Sequence, residues 1–271
     1  MVGKLFKYEM RAYARTLLPI ELILIAVGFL TRFIAFFEND TVVYGIVSIS
    51  SYILMFAAVA VTLVMTMAVA VMRFYKNLFT AEGYLSFTLP VTPAAHIAAK
   101  LLAALVFCAI SAVCVAMSLS AATMGELFVE ILKFIGFMSG KYFERFGVHG
   151  AFYIVEGSLL ATVSITKSLL VFYLCISLGQ LAKKNRVLAA FGYYCAYIFI
   201  IQIIGTFFII FFTSVIDAMP NFIADLFNWF YEYQFLSIHV MMLLGIFFTG
   251  IISLVYFLII RFIISKKLNL E

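Results

Sequence analysis

Six long apolar runs alternate with short polar stretches along this chain of 271 residues, at roughly 17–37, 43–72, 93–123, 159–182, 187–216 and 236–264. A helix needs about 20 apolar residues to cross the hydrocarbon core of a bilayer, and each run meets that length. The pattern predicts an all-α, polytopic membrane protein with six transmembrane helices, organised as a single transmembrane domain over 1–271. The second and third runs exceed the minimum, so their helices are expected to tilt or to project beyond the bilayer. The first run is too long for a cleaved leader and follows a polar-rich start, so it reads as a retained span.

Between the runs, shorter segments carry a helical period of their own. In residues 1–16, Lys4, Lys7, Arg11 and Arg15 recur at steps of three and four, with Val2, Phe6, Met10 and Tyr13 on an apolar face. This is an N-terminal amphipathic interfacial helix whose partner is membrane lipid, its cations near anionic headgroups. Thr16 is placed to cap the following helix, and Pro19 suits that helix's first turn. Two further segments, 124–157 and 217–235, read as extracellular interfacial helices. Glu126, Glu130 and Lys133 share a stripe away from Leu127, Ile131 and Phe134. Asn221, Asp225, Asn228 and Glu232 recur opposite Phe222, Ile223, Leu226, Phe227 and Phe230, next to an aromatic group around Trp229 that suits an interface.

Composition makes lipid the solvent for most of the chain. It is 66% hydrophobic and 11% charged, with a mean hydropathy of +1.17, whereas soluble domains are about 45–50% apolar and about 25% charged. The net charge of +5 comes from basic residues that flank apolar runs, a pattern of membrane orientation with no implication of nucleic acid. Of the 18 basic residues, thirteen fall on one side: Lys4, Lys7, Arg11, Arg15, Arg73, Lys76, Lys100, Lys183, Lys184, Arg186, Arg261, Lys266 and Lys267. That side is cytoplasmic by the positive-inside rule, so both termini are expected there. The four cysteines lie inside apolar runs without metal-type spacing and read as small apolar helix residues.

The stretch between the second and third runs carries the functional signal. It reads Arg73-Phe-Tyr75-Lys76-Asn-Leu-Phe-Thr-Ala-Glu82-Gly83-Tyr-Leu85-Ser-Phe-Thr-Leu89-Pro90-Val91-Thr92-Pro93. Thr92 suits an N-cap and Pro93 the first helical position of the third span. Gly83 allows a helix end or a sharp turn. The physics predicts a short cytoplasmic helix pinned between two long membrane helices over 73–92.

Glu82-x-Gly83-x-Leu85, a short spacer and Pro90-Val91-Thr92 together resemble the cytoplasmic loop of exporter-class (type 2) ABC permeases. The basic N-terminal helix, the six spans, the long second span and the closing Lys-Lys-Leu-Asn-Leu-Glu are similar to that family as well. The resemblance implies a bacterial cytoplasmic membrane permease, an exporter that forms the translocation path for efflux. It implies an ABC ATPase subunit as partner, docked on a coupling helix near Arg73, Tyr75, Lys76, Glu82 and Gly83. A second permease subunit, identical or related, is implied too. The 34-residue outer segment 124–157 is longer than the minimal family pattern, which leaves the substrate open.

Chemistry on the chain itself looks sparse. There is no phosphate-cradling G-x-x-x-x-G-K-[ST] sequence, so ATP and Mg are expected on the partner ATPase, with no cofactor here. His96, His149 and His239 are expected on or near different membrane faces, so neither a metal site nor a catalytic set is read from them, and the chain is not read as an enzyme. Lys167, Thr166, Thr162, Gln202, Tyr197 and Thr62 are candidates for the translocation path, since polar groups inside spans are functional suspects; helix packing accounts for many such groups, and snorkelling to the outer headgroups is the other reading of Lys167. Arg32, close in sequence to Glu38 and Asp40, reads as snorkelling. Glu21 is expected to make an interfacial ion pair with basic neighbours. The alternative function is an ion-gradient-driven secondary transporter, which calls for buried carboxylates near mid-span; none is evident in these runs.

Overall fold

The computed structural model describes residues 2–35, 37, 42–80, 83, 91–123, 126–182 and 184–266. Seven helices run through them: α1 (Val2–Ala35), α2 (Val42–Phe79), α3 (Pro93–Ala122), α4 (Glu126–Gly179), α5 (Arg186–Ala218), α6 (Pro220–Glu232) and α7 (Gln234–Lys266). All but α6 are long and apolar enough to cross a membrane. The chain divides into two compact units, 1–141 and 142–271.

In the first unit, α1, α2 and α3 pack on one another. The contacts have a simple register: Glu9 meets Lys100, Glu21 meets Ser111, and Ser118 bonds the Leu24 carbonyl. Each pair is separated by roughly the same number of residues, so α1 and α3 run parallel. Arg73 against Glu9, and Ser51 against Thr31, make α2 antiparallel to α1. Close approach is possible because the buried positions of α3 include the small residues Ala99, Ala103, Ala104, Ser111, Ser118, Ala121 and Ala122. At the tightest crossing, a Cβ on Gly28 would lie 2.5 Å from the Ser118 carbonyl oxygen.

One expectation is corrected here. Thr16 and Pro19 do not start a new helix, because α1 runs through both. The Thr16 hydroxyl instead bonds the Ala12 carbonyl at 3.3 Å. Tyr13, Leu17, Glu21, Leu24 and Thr31 form one buried stripe at helical spacing. Their packing keeps the helix in register across Pro19, whose missing N–H removes a single backbone hydrogen bond.

The segment 124–157 and the fourth apolar run fall in one helix, of which residues 126–141 belong to the first unit and the rest to the second. α4 is helical throughout except at Gly147, whose φ of 51° and ψ of −132° break it. Only glycine enters that backbone region readily. Beyond the break, Tyr153, Leu169, Leu170, Tyr173, Leu174 and Cys175 are buried, as are Ile260, Ile263 and Ile264 of α7. α5 has no buried residue, and Phe199, Phe207 and Ile209 each expose more than two thirds of their surface. A helix apolar all round, and about 50 Å long at 1.5 Å per residue, is at home only in hydrocarbon or against other apolar protein. Pro220 opens α6, directly after Met219, as a first-turn proline. The side chains of Glu126, Leu127 and Ile131 lie outside the described residues, as do Glu38, Asp40, Lys183, Lys267 and the rest of the tail.

Candidate functional site

The first unit carries a charged cluster at the end where α2 finishes and α3 begins. Glu9 sits seven residues into α1, Arg73 six residues before the last residue of α2, and Lys100 seven residues into α3. The Glu9 carboxylate accepts from Arg73 Nη2 at 2.8 Å and Nε at 3.2 Å, from Asn77 Nδ2 at 3.4 Å, and from Lys100 Nζ. The Arg73 guanidinium also stands 5.1 Å from the centroid of the Tyr13 ring, which stacks on Phe107 at 5.4 Å. One acid thus bridges cations from two other helices, and an aromatic pair closes the cluster from below. The Lys100 side chain is only 4% exposed and that of Glu9 13%. A group this buried needs its opposite charge and hydrogen bonds to remain ionised without a large cost.

The 80–92 loop leaves and returns at this end. Arg73, Tyr75 and Lys76 belong to the last two turns of α2, which continue the span and do not form a separate short helix. Arg73 faces the cluster, Tyr75 is half-buried and Lys76 is exposed. Gly83 is buried; its N–H donates to the Thr80 carbonyl at 2.7 Å, and a Cβ there would come within 2.5 Å of the Leu78 carbonyl oxygen. The close backbone approach therefore demands glycine. Glu82 lies outside the described residues, as do Leu85 and Leu89-Pro90. Thr92 takes the N-cap position and Pro93 the first turn of α3, with the Thr92 carbonyl, and not its hydroxyl, accepting from Ala95 and His96.

Twelve residues along α1 lies a second polar group. Glu21 is 1% exposed and close to the middle of its helix. Its Oε1 accepts from the Ser111 hydroxyl at 2.8 Å, and Ser111 lies 2.9 Å from the Thr66 hydroxyl. The Thr66 hydroxyl reaches the Thr62 carbonyl at 2.8 Å. Oε2 meets no nitrogen or oxygen donor; the thiol of Cys114, a weak donor, lies beside the carboxyl. This corrects the expected ion pair: Arg15, six residues away, lies about 9 Å along the helix axis, and the Glu21 carboxylate bonds Ser111 of α3 instead. It also supplies the mid-helix carboxyl that the apolar runs did not make evident.

The path candidates fall in both units. Thr62 is buried in the first unit and bonds its own helix at Ala58. Thr162 and Thr166 lie one turn apart on α4, their hydroxyls on the carbonyls of Ser158 and Thr162. Lys167 is half-buried, twelve residues before the end of α4, with no ion pair among the described residues. Tyr197 accepts from the Tyr256 hydroxyl at 3.2 Å, while Gln202 is exposed.

The histidine expectation is overturned in part. His149 Nδ1 and His239 Nε2 are 3.1 Å apart, and His239 Nδ1 lies 2.9 Å from both Glu156 oxygens. The residues reach one another because α4 resumes at Gly147 and runs alongside the start of α7.

No family model, curated protein or solved structure matches the chain.

Glu9 is the functional candidate that reading by charge sides missed. Its signal was its place on the α1 stripe, one step of four before Tyr13, as the lone acid in a basic segment.

Proposed function

We propose that this chain is the membrane-spanning permease subunit of an ATP-driven ABC exporter in a bacterial cytoplasmic membrane. It forms part of the translocation path and couples to a separate ATPase subunit that holds ATP and Mg. The observation that carries the reading is the Glu9 cluster. It ties α1, α2 and α3 together at the end from which the loop with Glu82-x-Gly83-x-Leu85 and Pro90-Val91-Thr92 emerges. A force applied to that loop is passed to three helices at once, because none of them can shift without breaking a buried charge contact. A second permease subunit, the same chain or a relative, completes the path. Lys167 with Thr162 and Thr166 on α4, and Tyr197 and Gln202 on α5, are the residues proposed to face it in the second unit, with Thr62 in the first.

The test is affinity recovery from native membranes in mild detergent, comparing wild type with a Glu82→Lys, Gly83→Pro double variant. Co-purification of a Walker-motif ATPase with wild type and its loss with the variant supports the reading. Intact protein that brings no ATPase in either sample overturns it.

One observation favours a second reading, an ion-gradient-driven transporter. Glu21 is a buried mid-helix carboxyl with one oxygen lacking a conventional donor, and ionisable groups in such places serve proton or cation pathways. Under that reading no ATPase is recovered, and Glu21→Gln abolishes gradient-driven transport while the protein stays folded.

A further inference from the structure

The cluster of His149, His239 and Glu156 belongs to none of the machinery above. His149 and Glu156 lie on α4 just past its break, and His239 lies in the second turn of α7. Phe235 stacks on the His149 ring at 5.3 Å and 11°, and the Tyr153 ring lies 4.4 Å from that of His239. The Tyr153 hydroxyl donates to the Phe235 carbonyl at 2.9 Å, so with the His149–His239 and Glu156–His239 contacts α4 and α7 are joined here by three polar links. His149 is exposed, which gives the cluster access to water.

Proton counting defines what the arrangement can do. Glu156, as a carboxylate, only accepts, so His239 Nδ1 must carry a proton and donate to it. In a neutral His239 ring, Nε2 is then an acceptor, and His149 Nδ1 donates to it. Adding one proton puts a hydrogen on His239 Nε2. The link survives if His149 moves its own proton to Nε2 and accepts at Nδ1. Adding a second proton puts hydrogens on both facing nitrogens, and the contact can no longer hold. Histidine is the side chain whose ordinary titration spans this range near neutrality.

We propose that Glu156, His239 and His149 form a proton-binding relay between α4 and α7, whose His149–His239 contact survives the first proton and breaks on the second while the Glu156–His239 contact holds. The ligand is the proton, since among the described residues no three His, Cys, Asp or Glu side chains are grouped to hold a metal ion. Other titratable groups facing the rings are Tyr153 and, through the Gly150 carbonyl, Tyr142, both on α4. Asp225 and Glu232 on α6 make no ion pair with the cluster among the described residues. Glu156 fixes the tautomer of His239, which makes it a positioning residue for the relay.

The chain has three histidines and one tryptophan, which makes the test direct. The full-length protein, labelled with 15N at histidine, is titrated in detergent micelles from about pH 8 to about pH 4.5 across the histidine range. The expected spectrum shows scalar coupling between the His149 and His239 nitrogens at the upper end. The two rings should titrate together, each step moving the nitrogen signals of both. Trp229, whose ring is 5.8 Å from that of Tyr233 just before α7, should change its emission with the second step. In His149→Gln, His239 should titrate in one step and the emission change should disappear. Independent single-step titrations in wild type, each unchanged when the other ring is replaced, overturn the proposal. Because no ATPase enters the measurement, its result is separate from that of the exporter reading.

Discussion

Replacing Glu9 with Gln removes the one negative charge shared by Arg73 and Lys100 while keeping the size of the side chain. The amide oxygen can still accept one of the hydrogen bonds, so the loss is chiefly electrostatic. Lys100 is 4% exposed, Glu9 13% and Arg73 22% by side chain. Breaking a buried pair costs about 3–5 kcal/mol because a desolvated charge stays behind. Arg73 reaches solvent and the surviving hydrogen bond offsets part of the loss, so the net effect should be about 3 kcal/mol. For a chain of this size that corresponds to a drop in Tm of roughly 6–12 °C. The assay is thermal unfolding of the purified protein in detergent, with Glu9→Gln, Arg73→Met and the double variant forming a cycle. The double variant should unfold at a higher temperature than the two single losses would give if added, since removing Arg73 relieves repulsion between the two cations. The defect should also respond little to added salt, because buried charges are poorly screened. A Glu9→Gln protein that unfolds within about 2 °C of wild type, or a strictly additive cycle, would refute the argument.

The remaining predictions use the same unfolding assay except where stated. Gly28→Ala places a methyl 2.5 Å from the Ser118 carbonyl oxygen, forces α1 from α3 and should lower stability by about 1–3 kcal/mol; unchanged stability would mean that the helices cross more loosely. Ser111→Ala takes the hydroxyl from Glu21 Oε1 and should cost about 1–3 kcal/mol, with Ser111→Thr recovering part of it. Gly147→Ala puts a side chain on a residue at φ 51°, a cost of about 1–3 kcal/mol, and limited proteolysis should show new cleavage around that position. Gly83→Ala meets the Leu78 carbonyl and should reduce ATPase recovery severalfold at unchanged yield of folded protein.

Much of the architecture was legible along the chain. The six apolar runs predicted six long helices, and six of the seven observed are long and apolar enough to span a membrane. Helical period and span length are local properties, set by 1.5 Å of rise and 3.6 residues per turn, and they survive whatever the helices pack against. Local signals misled where packing outweighed them. Thr16 and Pro19 carry the marks of a helix start, yet the stripe from Tyr13 to Thr31 buries as one surface and carries α1 through both. The outer segment 124–157 read as separate from the fourth span because its stripe is polar, while α4 joins them across Gly147.

The polar sites followed the same division. Arg73 was flagged by its place beside the loop, and Glu21 and the histidines by their chemistry, but no spacing rule pairs residues about ninety positions apart. Which acid meets which base depends on how α1, α2 and α3 are rotated about their axes, and that is decided by the alanines and serines of α3 that let the backbones approach. Glu9 therefore became a bridge only once α2 and α3 were set against α1. His149 and His239 met only because α4 breaks at Gly147 and resumes beside α7. The sequence by itself determined the six long apolar helices and that their solvent is largely apolar. The tertiary structure decided which buried polar groups face each other, because a charge or imidazole inside an apolar bundle is tolerated only where the packing supplies its partner.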